Sequence, residues 1–266
     1  MLIDFHIHSN TSSDTEMTAK EIYEKAFEKG IQNICITNHH EPSEFKKGDY
    51  KQSLTEEKIE KFMSDVAQLK KDARTKLHIG VEMSYSEEDE EYIREFLTTH
   101  QFDYVLGSIH YVRGWMVADI RNKGKISVKE EKKIKEEYFR LIKKAIKSKL
   151  FDAMSHMDHV KRVITEPKFE ETKKDWEEVA ELLTKTGVGF EVNTSWSRVS
   201  PGGLYPDKKI VELLIANGVK IVTLGSDAHR INEIGNGLED VQEMLKSFGL
   251  EKVYMFEKRK KVPLIL

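Results

Sequence analysis

Seven short apolar runs recur along the chain, separated by longer stretches in which apolar residues return every three or four positions. The runs are Leu2–Ile7, Ile31–Thr37, Leu77–Met83, Phe102–Ile109, Phe151–Ser155, Val188–Val192 and Val219–Gly225. They are rich in β-branched residues and apolar almost without interruption, the pattern of parallel strands covered on both faces. The intervening stretches predict helices over Thr18–Lys29, Thr55–Asp72, Glu88–Thr98, Ser127–Ser148, Glu170–Thr186, Asp207–Asn217 and Gly237–Ser247. Thr18 and Glu21 have the spacing of a capping box, and Gly30 supplies a stop. Ile59, Phe62, Val66 and Leu69 make the apolar stripe of the second helix. Gly187 and Gly218 stop helices directly before strands.

This alternation, without a Pro/Gly/Ser-rich linker, predicts one α/β domain over residues 1–266. Two architectures fit, a closed (β/α) barrel and an open doubly wound sheet. Neither Gly80-Val-Glu82 nor Gly107-Ser-Ile109 matches a Gly-rich phosphate fingerprint, which counts against a nucleotide-binding sheet.

Charge and cysteine content narrow the partners. The 43 Lys+Arg against 46 Asp+Glu leave a net charge of −3, which excludes nucleic-acid binding driven by bulk charge. The charged stretches Glu87–Glu91, Lys129–Lys135 and Lys258–Lys261 read as solvated helix faces or a tail. A single cysteine, Cys35, excludes an internal disulfide framework and a Cys-cluster zinc site. No apolar run is long enough to span a membrane, and the N-terminus lacks a secretory pattern. The expectation is a cytoplasmic protein with neither nucleic acid nor membrane as partner, its subunit number left open.

The strand ends carry the chemistry. They read Asp4-Phe-His6-Ile-His8, Thr37-Asn-His39-His40-Glu41, Gly80-Val-Glu82, Gly107-Ser-Ile-His110, Ser155-His156-Met-Asp158-His159, Glu191-Val-Asn193 and Gly225-Ser-Asp227-Ala-His229. Each delivers a histidine, carboxylate or amide to the C-terminal rim, where (β/α) barrels build their active sites, so the barrel is favoured. His6/His8 and Asp227/His229 are i, i+2 pairs that project to one side of a strand. Imidazole and carboxylate together suit Zn, Mn or Fe. His40, His78, His100 and His159 read as structural or supporting residues. Asp4, Glu41 and Asp158 read as caps, or as partners that orient an imidazole through its other nitrogen.

These motifs, in this order over nearly the whole chain, resemble those of the PHP (polymerase and histidinol phosphatase) superfamily. Gly107-Ser-Ile-His110-Tyr, His156-Met-Asp158, Arg162 and Glu191-Val-Asn193…Arg198…Tyr205-Pro206 resemble its stand-alone histidinol-phosphate phosphatases. One departure is Asn38, where the superfamily usually has Asp. The resemblance implies a distorted (β/α)7 barrel with three divalent metals, Zn, Mn or Fe. His6, His8, Glu82 and Asp227 would hold the first. A bridging Glu82 with His110 and His156 would hold the second, and Asp14, His39 and His229 the third. Ser12-Ser13-Asp14-Thr15 is equally the pattern of a turn or N-cap.

Such a site suits hydrolysis of a phosphomonoester by metal-activated hydroxide, the metals also neutralising phosphoryl charge. The resemblance implies L-histidinol phosphate as substrate, a small phosphorylated metabolite of histidine biosynthesis. Arg162, Arg198 and Arg230 each follow a ligand-bearing strand and are the expected phosphate contacts, with Asn193 a further donor. Asp227 or His229 would protonate the leaving alkoxide. Asp119, Glu41 and Asp158 are the acidic candidates for reading the amine and imidazole of histidinol. The competing readings are a PHP phosphoesterase of other specificity, an amidohydrolase-like hydrolase and a non-catalytic metal-stabilised binding module. Glu82 stands where an amidohydrolase would carry a bridging lysine, and a non-catalytic module would have lost ligands.

Overall fold

Seven strands form one parallel sheet in sequence order: β1 (Ile3–Ile7), β2 (Asn33–His40), β3 (Lys76–Ser84), β4 (Tyr104–Ser108), β5 (Ala153–Met154), β6 (Gly189–Asn193) and β7 (Val222–Gly225). The computed structural model describes residues 1–42, 53–72, 74–165 and 168–266. The sheet curls until β7 returns to β1. Asp227 N donates to His6 O at 2.7 Å and His8 N to Ala228 O at 3.1 Å, so the ring closes at its C-terminal rim. The molecule is a single α/β domain built on a nearly closed seven-stranded barrel.

The helices are α1 (Ala19–Glu28), α2 (Glu56–Leu69), α3 (Glu90–Thr99), α4 (Val128–Ser148), α5 (Phe169–Thr186), α6 (Lys208–Ala216) and α7 (Leu238–Ser247). Their caps follow from local sequence. Thr18 and Glu21 make the reciprocal capping box, and Thr55, Ser127 and Asp207 cap the starts of α2, α4 and α6. Barrel-strand residues such as Phe5, Val81, Leu106, Phe190 and Leu224 are fully buried, as two-sided coverage requires. No helix among the described residues is long and apolar enough to cross a membrane.

Two ribbons depart from the expected pattern. Tyr111–Val112 pairs with Trp115–Met116 just after β4, on the loop beside the rim. The stretch Lys258–Lys261, expected on a helix face or tail, instead turns and opens the second strand of an antiparallel hairpin, β8 (Lys252–Glu257) with β9 (Lys260–Ile265). Lys258 and Arg259 both have positive φ, 50° and 64°, the geometry of a tight hairpin turn without the usual Asn-Gly signature. Tertiary contacts hold that turn. Asp103 accepts from Lys258 N and Arg259 N, Arg259 Nε donates to Asp152 at 2.6 Å, and Phe256 stacks on Tyr104.

His40 couples this fold to pH. Its Nδ1 accepts from Leu54 N at 3.1 Å and its Nε2 lies 2.9 Å from Tyr92 Oη, so the buried ring is held neutral. Burial, then the nearby His100, push it down to about 3. Between pH 6.5 and that value the unfolded chain binds a proton that the folded chain refuses, so stability falls as pH falls. At pH 5 this costs about 2 kcal/mol relative to pH 7. Urea unfolding at the two pH values checks it. His40→Gln is expected to lower stability at pH 7 yet shrink the pH 7-to-5 difference.

Candidate metal centre

The rim gathers its polar groups because each barrel strand ends in one, with the i, i+2 alternation turning His6 and His8 inward together. Their Nε2 atoms are 3.0 Å apart. Glu82, at the end of β3, is wholly buried, with Oε2 3.4 Å from His6 Nε2 and 3.7 Å from His8 Nε2. Asp227 Oδ1 lies 3.6 Å and 3.3 Å from the same two nitrogens. On the other side Glu82 Oε1 is 2.7 Å from His156 Nε2 and 3.4 Å from His110 Nε2. Outermost, Asp14 Oδ2 is 3.2 Å from His39 Nε2 and 3.1 Å from His229 Nε2. All nine expected metal ligands therefore meet in one continuous cluster with Glu82 at its centre. Several overlapping donor groups have the spacing of a metal site, among them His6–His8–Glu82 and His8–His39–His229.

The donor set fits divalent metals on its own geometry. His39 Nδ1 and Glu82 Oε2 lie 2.8 Å apart, yet neither makes a hydrogen bond, and both are buried. Glu82 Oε2 is thus a buried acceptor left unsatisfied among the imidazoles of His6, His8 and His39, as a carboxylate oxygen that would hold a metal is. The electrostatics agree. Burial alone would raise Glu82, but the imidazoles of His6, His110, His39 and His156 hold it well below the usual carboxylate range. Asp227 is held low in the same way, against burial, by His6, His8 and His229. Burial and the neighbouring His39 and His229 push His8 down to about 3, leaving it neutral, the form that binds metal. His6, His39 and His110 are raised by the carboxylates despite burial, so in the metal-free protein they share the positive charge that balances those acids.

A second ring of residues orients these donors. Glu41 contacts His110 Nδ1, and Glu191 Oε1 lies 2.7 Å from His6 Nδ1, each able to fix its imidazole through the nitrogen turned away from Glu82. Asn38 Oδ1 accepts from Ser9 N, Ser9 Oγ and Ser12 Oγ, and so shapes the loop that carries Asp14. The sequence places Glu191 at a strand end but assigns it no role. Its i, i+2 relation to Asn193 on β6, the same signal as His6/His8, points it to the rim. Gly225 leaves room for this pair, since a Cβ there would meet Glu191 Oε1 and His6 Cβ. Gly225→Ala is expected to cost about 10–100-fold in metal affinity, as loss of an orienting partner does. Metal titration followed by elemental analysis checks it, and unchanged affinity would remove Glu191 from this role.

Above the cluster is a cavity of about 290 Å³ lined by Glu82, His110, His156, Asp227 and His229, and across from them by Met116, Asp119, Arg121, His159 and Arg162. Arg162 borders it with Nε buried and without a hydrogen-bond partner, and with Nη1 3.4 Å from His159 Nε2. His159 thus belongs to the cavity wall, and its nitrogen has metal-site spacing to His110 and His156.

Other expected substrate contacts lie elsewhere. Arg198 does not line this cavity. Its guanidinium donates to Ser226 O at 2.7 Å and Asp227 O at 3.1 Å, bracing the turn after β7. Asn193 is fully buried, donating to Glu191 at 3.0 Å and accepting from Ser195 N at 2.9 Å, and it does not line this cavity. Arg230 is exposed beside Asp14 and His229, which border the cavity, but does not itself line it. Asp158 points away altogether, accepting from Lys161 Nζ and Asp207 N on the far side of its turn. Asp119 does border the cavity, with its carboxylate held by Arg121 Nε at 2.8 Å. Glu41 borders it too, committed to His110.

Comparison with known proteins places this arrangement. The PHP domain model matches residues 4–195. The chain is 24% identical to the "probable histidinol-phosphatase" of Deinococcus radiodurans, over 98% of this chain and 99% of that protein. It is 24% identical to the histidinol-phosphatase of Lactococcus lactis subsp. lactis, over 96% of this chain and 94% of that one. Its fold matches the crystal structure of histidinol phosphate phosphatase from Lactococcus lactis, complexed with Zn, L-histidinol and phosphate. The TM-score is 0.83 at 21% identity, covering 98% of both chains. The crystal structure of the "putative histidinol phosphatase" from Listeria monocytogenes matches with a TM-score of 0.77 at 22% identity, over 90% of this chain and 99% of that one. With its motifs in order, its barrel closed at the rim and the family model spanning most of its length, the chain belongs to the PHP domain family.

Proposed function

We propose that the chain is a metal-dependent histidinol-phosphatase, hydrolysing L-histidinol phosphate to L-histidinol and phosphate. The observation that carries this reading is the nine-donor cluster at the floor of a cavity bordered by Arg162, whose buried Nε has no hydrogen-bond partner. Full-length likeness to histidinol-phosphatases supports it. Three divalent metals fit the donors, as His6–His8–Glu82–Asp227, Glu82–His110–His156 and Asp14–His39–His229. When bound they activate water and neutralise phosphoryl charge.

The chain's own residues do the rest. Arg162 offers its guanidinium to the phosphoryl oxygens, and the buried site makes those bonds count. The leaving alkoxide takes its proton at the Asp227/His229 end of the cavity, which both side chains line. Glu41 and Glu191 hold His110 and His6 in place. Arg162→Ala is expected to weaken every phosphomonoester alike, by about 2–5 kcal/mol in transition-state terms. Phosphate release measured on several esters checks it, and an effect confined to one ester would move Arg162 from phosphate to leaving group.

One observation favours a second reading, a phosphatase for another small phosphorylated metabolite. None of the three acids expected to read an amine and imidazole is uncommitted, since Asp119 is held by Arg121, Glu41 meets His110 and Asp158 is outside the cavity.

A further inference from the structure

A second cavity, of about 370 Å³, lies behind the turn that carries His156, His159 and Arg162. The same short turn, His159–Arg162, presents His159 and Arg162 to the metal cavity and Val160 and Lys161 to this one. Its wall is aromatic, built from Tyr138 and Phe139 of α4 and Phe169 and Trp176 of α5. Deep in that wall sit two charged side chains, Asp158 at 7% and Lys161 at 4% exposure. Asp158 Oδ2 accepts from Lys161 Nζ at 2.8 Å and from Asp207 N at 2.9 Å, while its Oδ1 has no hydrogen-bond partner. Three more lysines, Lys135, Lys168 and Lys209, border the cavity with no acidic partner among the described residues. Asp207, the remaining acid on the wall, is committed to capping α6.

We propose that this cavity is a binding site for an apolar α-amino acid, of the size of phenylalanine, separate from the metal centre. Each part of such a ligand answers a feature of the wall. Its ammonium meets the unpartnered buried carboxylate oxygen of Asp158, which is costly to leave unpaired. Its carboxylate meets the unpaired lysines, and its side chain fills the aromatic box, where an ammonium is also attracted to ring faces. The volume lies within the range of small-molecule sites.

Calorimetric titration of the full chain with L-phenylalanine, phenylacetate and 2-phenylethylamine tests this. L-Phenylalanine is expected to bind one per chain, at least ten-fold tighter than either half-ligand. Saturating inorganic phosphate leaves that binding in place. The double variant Lys168→Glu/Lys209→Glu, exposed and outside the metal cavity, weakens it at least five-fold with turnover unchanged. Absence of binding at millimolar L-phenylalanine, equal binding by a half-ligand, or displacement by phosphate would each overturn the proposal.

Discussion

Glu82→Gln is expected to lower turnover at least a thousand-fold while the chain stays folded. Glu82 lies at the centre of the cluster, within 3.7 Å of His6, His8, His39, His110 and His156. Glutamine keeps its volume and its place on β3, so packing around Met83 and Val81 is little disturbed. It removes the negative charge that two metals would share, and it puts an amide NH2, which is no metal ligand, in place of one carboxylate oxygen. A thousand-fold loss corresponds to about 4 kcal/mol of transition-state stabilisation. Metal content by elemental analysis should fall together with turnover, and circular dichroism should stay unchanged. Near-normal turnover would show that the end of β3 is not the metal site.

Stripping the protein of metal is expected to abolish turnover and to lower the melting temperature. Without metal, six imidazoles and three carboxylates must balance each other, several of them in full burial. Each ligand that binds only the folded state stabilises it, by about 4 kcal/mol at a thousand-fold excess over its dissociation constant. Adding Zn, Mn or Fe to chelated protein should restore both turnover and melting temperature. Full activity in protein shown by elemental analysis to be metal-free would contradict the assignment.

The barrel and its donor cluster were legible because both rest on local regularities. Continuous apolar runs mark strands buried on two faces, and polar residues at the C-terminal ends of all seven mark the rim. What escaped depends on partners far away in sequence. Arg198 follows β6, but its partners are the carbonyls of Ser226 and Asp227 about thirty residues on. Asp158 lies two residues from His156, yet the turn there swings it to the opposite wall, because strand alternation ends where the strand does. The hairpin of β8 and β9 turns on Lys258 and Arg259, residues with no turn preference, whose positive φ angles are imposed by Asp103 and Asp152. Glu191 was within reach of the i, i+2 rule, and only its partner His6, at the other end of the chain, shows what it does.

Substrate identity turns on the wall facing the cluster, where Asp119, Arg121 and Met116 stand. An acid there that reads an amine or imidazole would distinguish L-histidinol phosphate from a plain aryl phosphate, whereas Arg162 would not. Asp119, now held by Arg121, is the acid of that wall, and Asp119→Asn is expected to hurt the former more than the latter where the substrate's amine takes the carboxylate from Arg121. The most direct measurement is kcat/KM of metal-reconstituted protein for L-histidinol phosphate against a panel of unrelated phosphomonoesters. The account predicts a clear preference, at least a hundred-fold, for L-histidinol phosphate. Hydrolysis of L-histidinol phosphate no faster than of the unrelated esters would contradict it, and would leave a PHP phosphatase with a different substrate.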